Sequence, residues 1–169
     1  HGIENLIKKT NFEPRKMVDL GFNYRLPDIL CSLGITQLKK LDKFVNKRQK
    51  IAKIYADSFN YDDYLIKQKI HKNSKSSYHL FPILIDFDKL GKNKKKLFEY
   101  LYNNKVKIQT HYIPIYRHPY YIKLMKHKFK KLKNSEIFFK RQVSLPIYFD
   151  LETKEVKKVV KLIKNFLKN

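Results

Sequence analysis

The strongest constraint on the fold is a run of apolar residues at helical spacing across residues 29–59. Its steps of three and four residues predict a long amphipathic helix, most of whose apolar face we expect to pack in a core. Pro27 and Asp28 suit the first turn of that helix. Gly34 marks either a break or a point of close packing. The apolar positions are Ile29, Leu30, Leu33, Leu38, Leu41, Phe44, Val45, Ile51, Ile54, Tyr55 and Phe59.

Strand-like and helical patterns follow this run in alternation. The sequence predicts strands over residues 64–66, 79–86, 106–110 and 144–148, and helices over 94–103 and 134–143. A last helix follows Thr153, a plausible N-cap, and carries Val156, Val159, Val160, Ile163 and Leu167 on one face. Pro82 indicates that its strand lies at a sheet edge or a bulge. The order predicts an α/β fold with an α+β small domain.

The net charge of +23 over 169 residues has two interpretations. One is an anionic partner, and a basic nucleic-acid-binding module with tyrosines stacked on bases is the alternative function that we consider. The other is a lysine-rich composition with no specific target. Sites that read bases favour arginine, whereas lysine dominates here and is spread over the whole chain. The pattern favours compositional bias and argues against nucleic acid as a partner.

Several classes of protein are excluded by simpler observations. No apolar run approaches the roughly 20 residues that span a bilayer, so no membrane association is predicted. Cys31 is the only cysteine, which excludes an internal disulfide and a cysteine-built metal site and fits a cytoplasmic location. The chain opens on His1 with no signal peptide, and we expect a fragment or a processed piece.

A short glycine-bearing loop precedes the long helical run, at residues 20–28. Asn23 and Arg25 are donors placed two residues apart, on a backbone freed by Gly21. Such donors are suited to gripping a phosphate. The alternative is a turn in which the asparagine takes an unusual backbone angle and the arginine is solvated.

A second informative segment, residues 111–121, combines two histidines, four tyrosines, one arginine and two prolines. Aromatic rings offer flat apolar faces, so the segment is interpreted either as the wall of a ligand pocket or as a loop packed on the core. His111 and His118 lack the spacing of a helical metal-binding pair, and no cysteine or carboxylate accompanies them. No metal site is predicted.

Five pieces, in sequence order, resemble the C-terminal half of the DegT/DnrJ/EryC1/StrS sugar aminotransferases. They are residues 21–26 with Asp28, 33–38 with 41–42, 79–81, 110–114 with 119–121, and 144–147. The resemblance covers nearly the whole chain. Within the family, the Tyr112 and Tyr121 segments look most like the enzymes that aminate a 4-keto UDP-sugar on the route to pseudaminic acid.

The resemblance implies the C-terminal portion of a fold-type I pyridoxal-phosphate-dependent transferase. It comprises a long connecting helix and a small sheet covered by helices. Residues 1–28 would be a remnant of the large domain with the cofactor-phosphate loop. Residues 29–60 would be the connecting helix, and residues 61–169 the C-terminal small domain.

The resemblance also implies a reaction and its partners. An amino group would move from glutamate to a 4-keto nucleotide sugar, in pseudaminic acid or related surface-glycan biosynthesis, with pyridoxal phosphate as cofactor. Asn23 would reach the cofactor phosphate of the neighbouring subunit of a homodimer with shared sites. The substrate-binding residues would be Tyr24 and Arg25 at the shared interface, and His111, Tyr112 and Tyr121 in the sugar-nucleotide pocket.

One departure from the family limits this expectation. The family's Schiff-base lysine lies upstream of the part that this chain resembles, and none of the lysines here lies in that motif. Amino-group chemistry on pyridoxal phosphate needs that lysine. We therefore expect no catalytic residue in this chain and no aminotransferase activity from the chain alone.

Overall fold

The computed structural model describes residues 26–60, 63–125 and 130–168 as helices joined by loops and short strands. The helices are α1 (Asp28–Leu38), α2 (Leu41–Ser58), α3 (Lys94–Asn103), α4 (Pro119–Leu124), α5 (Lys133–Arg141) and α6 (Thr153–Lys168). A 3₁₀ helix spans Ile115–Arg117. The strands are β1 (Leu65–Lys67), β2 (Phe81–Ile85) and β3 (Gln142–Leu145), in the order β1-β2-β3. The expected mixture of helices with a small sheet is confirmed.

The chain divides into two units, which are described separately. Described residues 84–144 belong to the first unit, and described residues 26–83 with 145–168 belong to the second. The boundary falls inside β2, after Ile83, and inside β3, after Ser144. None of the helices in the described ranges is long and apolar enough to cross a membrane.

The second unit is built on the packing of α2 against α6. The five apolar residues predicted for one face of α6 are all buried, which confirms the periodicity argument. In α2 the buried residues are Ile51, Ala52 and Tyr55. The Tyr55 ring lies 5.1 Å from the Phe81 ring, and its hydroxyl donates to the Pro146 carbonyl oxygen at 3.0 Å. Burial raises the pKa of Tyr55, because the charged phenolate would lose its hydration.

The predicted continuous helix over residues 29–59 is wrong, because it breaks at Lys39 and Lys40. The Lys40 N–H bonds three residues back, to the Gln37 carbonyl oxygen at 3.0 Å, which tightens the end of α1. The expected break or close packing at Gly34 is also wrong. Gly34 lies inside α1, and a Cβ built on it would have nothing within 4 Å.

The apolar face of α1 is exposed in this chain, contrary to the expectation of a core face. Ile29 is 82% exposed, and the other apolar side chains of α1 are also exposed. Helical periodicity predicts which residues share a face, but it cannot say what covers that face. The expectation holds for α2 and not for α1.

In the first unit, α3 supplies buried apolar residues and is joined to α5 through Lys94. Leu97, Phe98 and Leu101 of α3 are buried, whereas Tyr102 is 53% exposed. The Lys94 ammonium donates to the Phe139 carbonyl oxygen at 2.7 Å, near the C-terminal end of α5. A cation is favourable at that end of a helix because the last carbonyls have no partner within it.

The strand predictions were less accurate than the helix predictions. Residues 106–110 do not form a strand, because only Gln109 pairs, through an isolated antiparallel bridge to Ser144. Pro82 lies in β2, between the other two strands, so of the two predicted positions, a sheet edge or a bulge, the edge is wrong. β1 is three residues long against five in β2, so it can cover only part of that strand. β3 begins at Gln142, where the sequence predicted the end of a helix.

Thr153 was predicted to cap α6, and the structure gives that position to Glu152 instead. The Glu152 N–H donates to the Glu155 carboxylate at 2.9 Å, and the Glu152 carbonyl accepts from Val156 at 3.0 Å. A glutamate three residues after the cap that bonds back to it is half of a capping box. Glu155 also places negative charge at the positive end of the helix.

The buried Tyr55 hydroxyl gives a first test. We expect Tyr55→Phe to lower the free energy of unfolding by about 1 kcal/mol, because the ring packing is kept and one hydrogen bond is lost. The half-exposed Tyr148 provides the matched control, and Tyr148→Phe should change the stability much less. Urea unfolding monitored by circular dichroism measures both. Equal losses for the two variants would contradict a stabilising Tyr55–Pro146 bond.

Lys94 gives a second test, in the dependence of stability on pH. Burial lowers the pKa of Lys94 from 10.5 to about 8. Between these values the unfolded chain binds more protons, so this lysine's contribution to stability rises with pH and is lost as pH falls through about 8. The stability difference between wild type and Lys94→Met should therefore rise from about pH 8 to about pH 10.

The control for Lys94 is Lys96→Met, at an exposed position on the same helix. Urea unfolding of the three proteins at the two pH values gives the comparison. A difference for Lys94→Met that stays flat, or falls as pH rises, would show that burial does not discriminate against the charged ammonium.

Candidate functional site

The candidate site lies in the first unit, where a backbone bridge brings residues 109–111 beside β3. The Ser144 N–H donates to the Gln109 carbonyl at 2.8 Å, and the Gln109 N–H donates to the Ser144 carbonyl at 3.3 Å. This pair of bonds is the antiparallel ladder in its smallest form. It holds His111, two residues beyond Gln109, against the side chains of Gln142 and Ser144.

Two hydrogen bonds connect His111 to β3, and a third joins their two partners within the strand. The His111 backbone N–H donates to Gln142 Oε1 at 2.8 Å, and His111 Nδ1 lies 2.9 Å from Ser144 Oγ. Gln142 Nε2 donates to Ser144 Oγ at 2.7 Å. Gln142 and Ser144 are two residues apart on a strand, so their side chains point to the same face. The three residues form a polar cluster in which each is hydrogen-bonded to the other two.

Burial makes this cluster unusual. Gln142 is 1% exposed and Ser144 is 4% exposed, and they are the buried polar residues of the described core. Buried polar groups are costly unless they are hydrogen-bonded, and each of these satisfies the other. The cluster therefore has a fixed geometry, and His111, which is half-buried, is its outer member.

Tyr112 and Tyr121 differ in their relation to His111. The Tyr112 ring is 68% exposed and meets the His111 ring edge-on, with centroids 4.7 Å apart. The peptide bond between His111 and Tyr112 is cis. Tyr121 lies in α4, where its ring packs on Tyr120 at 5.3 Å. The structure thus pairs Tyr112 with His111 and leaves Tyr121 in a separate aromatic contact.

The segment between these tyrosines is tied to α5 by an ionic contact. Arg117 Nε donates to Glu136 Oε1 at 2.9 Å, and its Nη2 forms an ion pair with Oε2. The Tyr116 hydroxyl donates to the same carboxylate at 2.8 Å. Burial lowers the pKa of His118, partly offset by a hydrogen bond with the Ile113 backbone. The aromatic segment is therefore held as folded structure and includes a 3₁₀ helix and α4, which the sequence did not predict.

Three of the predicted site residues, Asn23, Tyr24 and Arg25, lie outside the described residues. Their predicted roles at a cofactor phosphate and a subunit interface stay predictions. Within the described ranges, no group of three or more His, Cys, Asp or Glu side chains could hold a metal ion.

Covalent attachment of pyridoxal phosphate needs a lysine aimed into a pocket, and Lys94 does not fit that role. Lys94 has a lowered pKa of about 8. Its ammonium, however, is bonded to the Phe139 carbonyl and lies 4.9 Å from the centre of the Phe139 ring. That contact joins two helices and leaves the group poorly placed for a cofactor. What the described part offers is a polar and aromatic surface suited to a substrate.

Sequence reasoning found His111 and missed its partners, Gln142 and Ser144. Gln142 was assigned to a helix end and Ser144 to the start of a strand, so the two were never considered together. The available signal was the polar alternation of Gln142 and Ser144 among Val143 and Leu145. Polar residues inside an apolar strand require hydrogen-bond partners.

Comparison with known proteins places this chain among sugar aminotransferases. The model of the DegT/DnrJ/EryC1/StrS aminotransferase family matches residues 1–164. A Campylobacter jejuni UDP-4-amino-4,6-dideoxy-N-acetyl-beta-L-altrosamine transaminase is 41% identical over 157 residues, which cover 93% of this chain and 40% of the relative. The chain therefore spans about two-fifths of the length of the curated relatives that it matches.

Solved structures agree with this assignment. Helicobacter pylori PseC, an aminotransferase involved in the biosynthesis of pseudoaminic acid, has a TM-score of 0.77 at 31% identity. The match covers 99% of this chain and 43% of that one. S. venezuelae DesV has a TM-score of 0.76 at 19% identity, over 98% of this chain and 42% of that one, and supports the fold alone. The chain belongs to the DegT/DnrJ/EryC1/StrS aminotransferase family.

Proposed function

We propose that this chain forms part of an aminotransferase that moves an amino group from glutamate to the 4-keto carbon of a UDP-sugar. The observation that carries the proposal is the 41% identity to the Campylobacter jejuni transaminase over 93% of the chain. That relative is named for a 4-amino UDP-sugar, whose amino group would come from a 4-keto precursor in a transamination. Pseudaminic acid or related surface-glycan biosynthesis is the corresponding pathway.

His111 and Tyr112 are the substrate-binding residues in this proposal. The exposed Tyr112 ring offers a flat face on which a base or sugar ring can pack. His111 stands beside it as a polar group of fixed position, held by Gln142 and Ser144. A nucleotide sugar combines a flat base with many oxygen acceptors, and this pair of side chains suits both. Tyr121 is a third candidate with less support, because its ring packs on Tyr120 and not on His111 or Tyr112 in the contacts described above.

Pyridoxal phosphate supplies the amino-carrying chemistry when it is bound in the complete enzyme. The proposal assigns Asn23 to its phosphate, and Tyr24 and Arg25 to the interface of a homodimer with shared sites. The PLP-form and PMP-form structures of the Spr1654 aminotransferase, which have the same fold, are compatible with this cofactor. The nucleic-acid alternative has no support from the relatives reported above.

The test is a chimera in which this chain replaces the matching segment of the Campylobacter jejuni transaminase. We expect the chimera to aminate a 4-keto UDP-sugar in the presence of pyridoxal phosphate and glutamate. His111→Ala should then lower kcat/KM for the keto-sugar more than for glutamate. The expected cost is about 1–3 kcal/mol, the scale for a hydrogen bond lost in a buried site.

The control is His71→Ala, because His71 is an exposed histidine in the other unit and lies outside the five pieces that resemble the family. This control variant should leave kcat/KM unchanged for both the keto-sugar and glutamate. Steady-state kinetics with each substrate varied in turn separates the effects. Equal losses for keto-sugar and glutamate in His111→Ala would show a structural role and remove His111 from the substrate site.

A further inference from the structure

We propose that Ser144 and Gln142 are positioning residues that fix neutral His111 in the tautomer with its proton on Nε2. His111 would then present an N–H donor to an oxygen of the substrate. This last step rests on the proposed function, whereas the tautomer itself follows from the hydrogen bonds within the described chain.

The orientation of the Gln142 amide is the first step. A backbone N–H can only donate, so the Gln142 atom that lies 2.8 Å from the His111 N–H must be the amide oxygen. The amide nitrogen therefore faces the other way, 2.7 Å from Ser144 Oγ. Since an amide nitrogen also only donates, Ser144 Oγ accepts a hydrogen bond from Gln142. Here the network settles an amide orientation that atom positions alone leave open.

The hydroxyl of Ser144 is the second step. It has a single hydrogen to donate, and its two partners are Gln142 Nε2, which can only donate, and His111 Nδ1 at 2.9 Å. The hydroxyl hydrogen therefore points to His111 Nδ1, which must accept it. A neutral imidazole that accepts at Nδ1 carries its proton on Nε2.

The opposite tautomer is penalised by burial. A proton on His111 Nδ1 would direct a second donor at Ser144 Oγ and leave the hydroxyl hydrogen without an acceptor among the described residues. Ser144 is 4% exposed, so water cannot readily serve as the missing acceptor. A buried donor left without a partner destabilises the fold by the full free energy of removing that donor from water. The hydrogen bonds from Gln142 to Ser144 and from Ser144 to His111, which we call the relay, therefore select one of two tautomers that are close in energy in free histidine.

The consequence for binding is a choice of ligand chemistry. A ring with a proton on Nε2 donates to oxygen atoms, such as those of hydroxyl, keto or phosphate groups, and does not accept from N–H donors. Ser144 and Gln142 are almost completely buried, so they act through His111 and not by touching the substrate. The Gln109–Ser144 backbone bridge holds the backbone at His111 beside β3.

The test is proton–nitrogen correlation NMR of the full chain labelled with ¹⁵N-histidine, at about pH 8, above the ordinary histidine pKa. His111→Gln identifies the His111 signals by their loss. We expect His111 Nδ1 to have the chemical shift of an unprotonated nitrogen and Nε2 that of a protonated one. Ser144→Ala should move both shifts towards intermediate values, and Ser144→Thr, which keeps the hydroxyl, should retain the wild-type pattern.

Two outcomes would overturn the proposal. One is a wild-type spectrum with the His111 proton on Nδ1 or shared between the nitrogens. The other is a folded Ser144→Ala variant with an unchanged His111 spectrum. The wild-type measurement stands even if Ser144→Ala fails to fold, and His79 in the same spectra reports any general change.

The measurement needs no substrate, so it separates this inference from the proposed function. In the active chimera, Ser144→Ala should raise KM for the keto-sugar about five- to tenfold with little change in kcat, and Ser144→Thr should restore it. If NMR shows the fixed His111 tautomer but Ser144→Ala leaves KM for the keto-sugar unchanged, the relay stands and the role of His111 in substrate binding is removed. If Ser144→Ala raises KM for the keto-sugar but NMR shows no fixed His111 tautomer, the relay is overturned and the proposed function stands.

Discussion

The structure depends most on the requirement that polar groups removed from water be hydrogen-bonded. In the first unit this requirement links His111 to Gln142 and Ser144, and in the second it links the Tyr55 hydroxyl to the Pro146 carbonyl. Each link joins segments that are far apart in sequence. In the described part of the chain, the buried side-chain nitrogen or oxygen without a partner is Arg48 Nε. The same constraint thus shapes the core of one unit and the candidate site of the other.

The helices could be predicted from the sequence because their pattern is local. The bounds of α3 match the prediction, and the buried face of α6 was predicted residue by residue. The failures occurred where particular hydrogen bonds, local or between distant segments, decide the result. The break after α1, the pairing of Gln109 alone and the cap at Glu152 each depend on particular hydrogen bonds, which apolar periodicity does not encode.

The candidate site was predictable only in part, for the same physical reason. Its aromatic composition and the family resemblance singled out His111 and Tyr112, and the structure places their rings in contact. The residues that hold His111 come 31 and 33 positions later, on a strand whose register no local pattern fixes. Periodicity also did not predict that the apolar face of α1 would be exposed. The spacing within one helix shows which residues share a face, but not which other segments pack on that face.

The polar cluster of His111, Gln142 and Ser144 has a consequence for how this part of the chain can change over evolution. A change at His111 alone would leave the Ser144 hydroxyl with no acceptor among the described residues, and a change at Gln142 alone would remove the acceptor of the His111 N–H and one of the two partners of Ser144 Oγ. Single substitutions therefore pass through a destabilised intermediate, whereas a joint replacement by apolar residues avoids it. Among relatives, these three positions should be inherited as a unit, and in a multiple alignment they should covary more strongly than their separation in sequence would suggest.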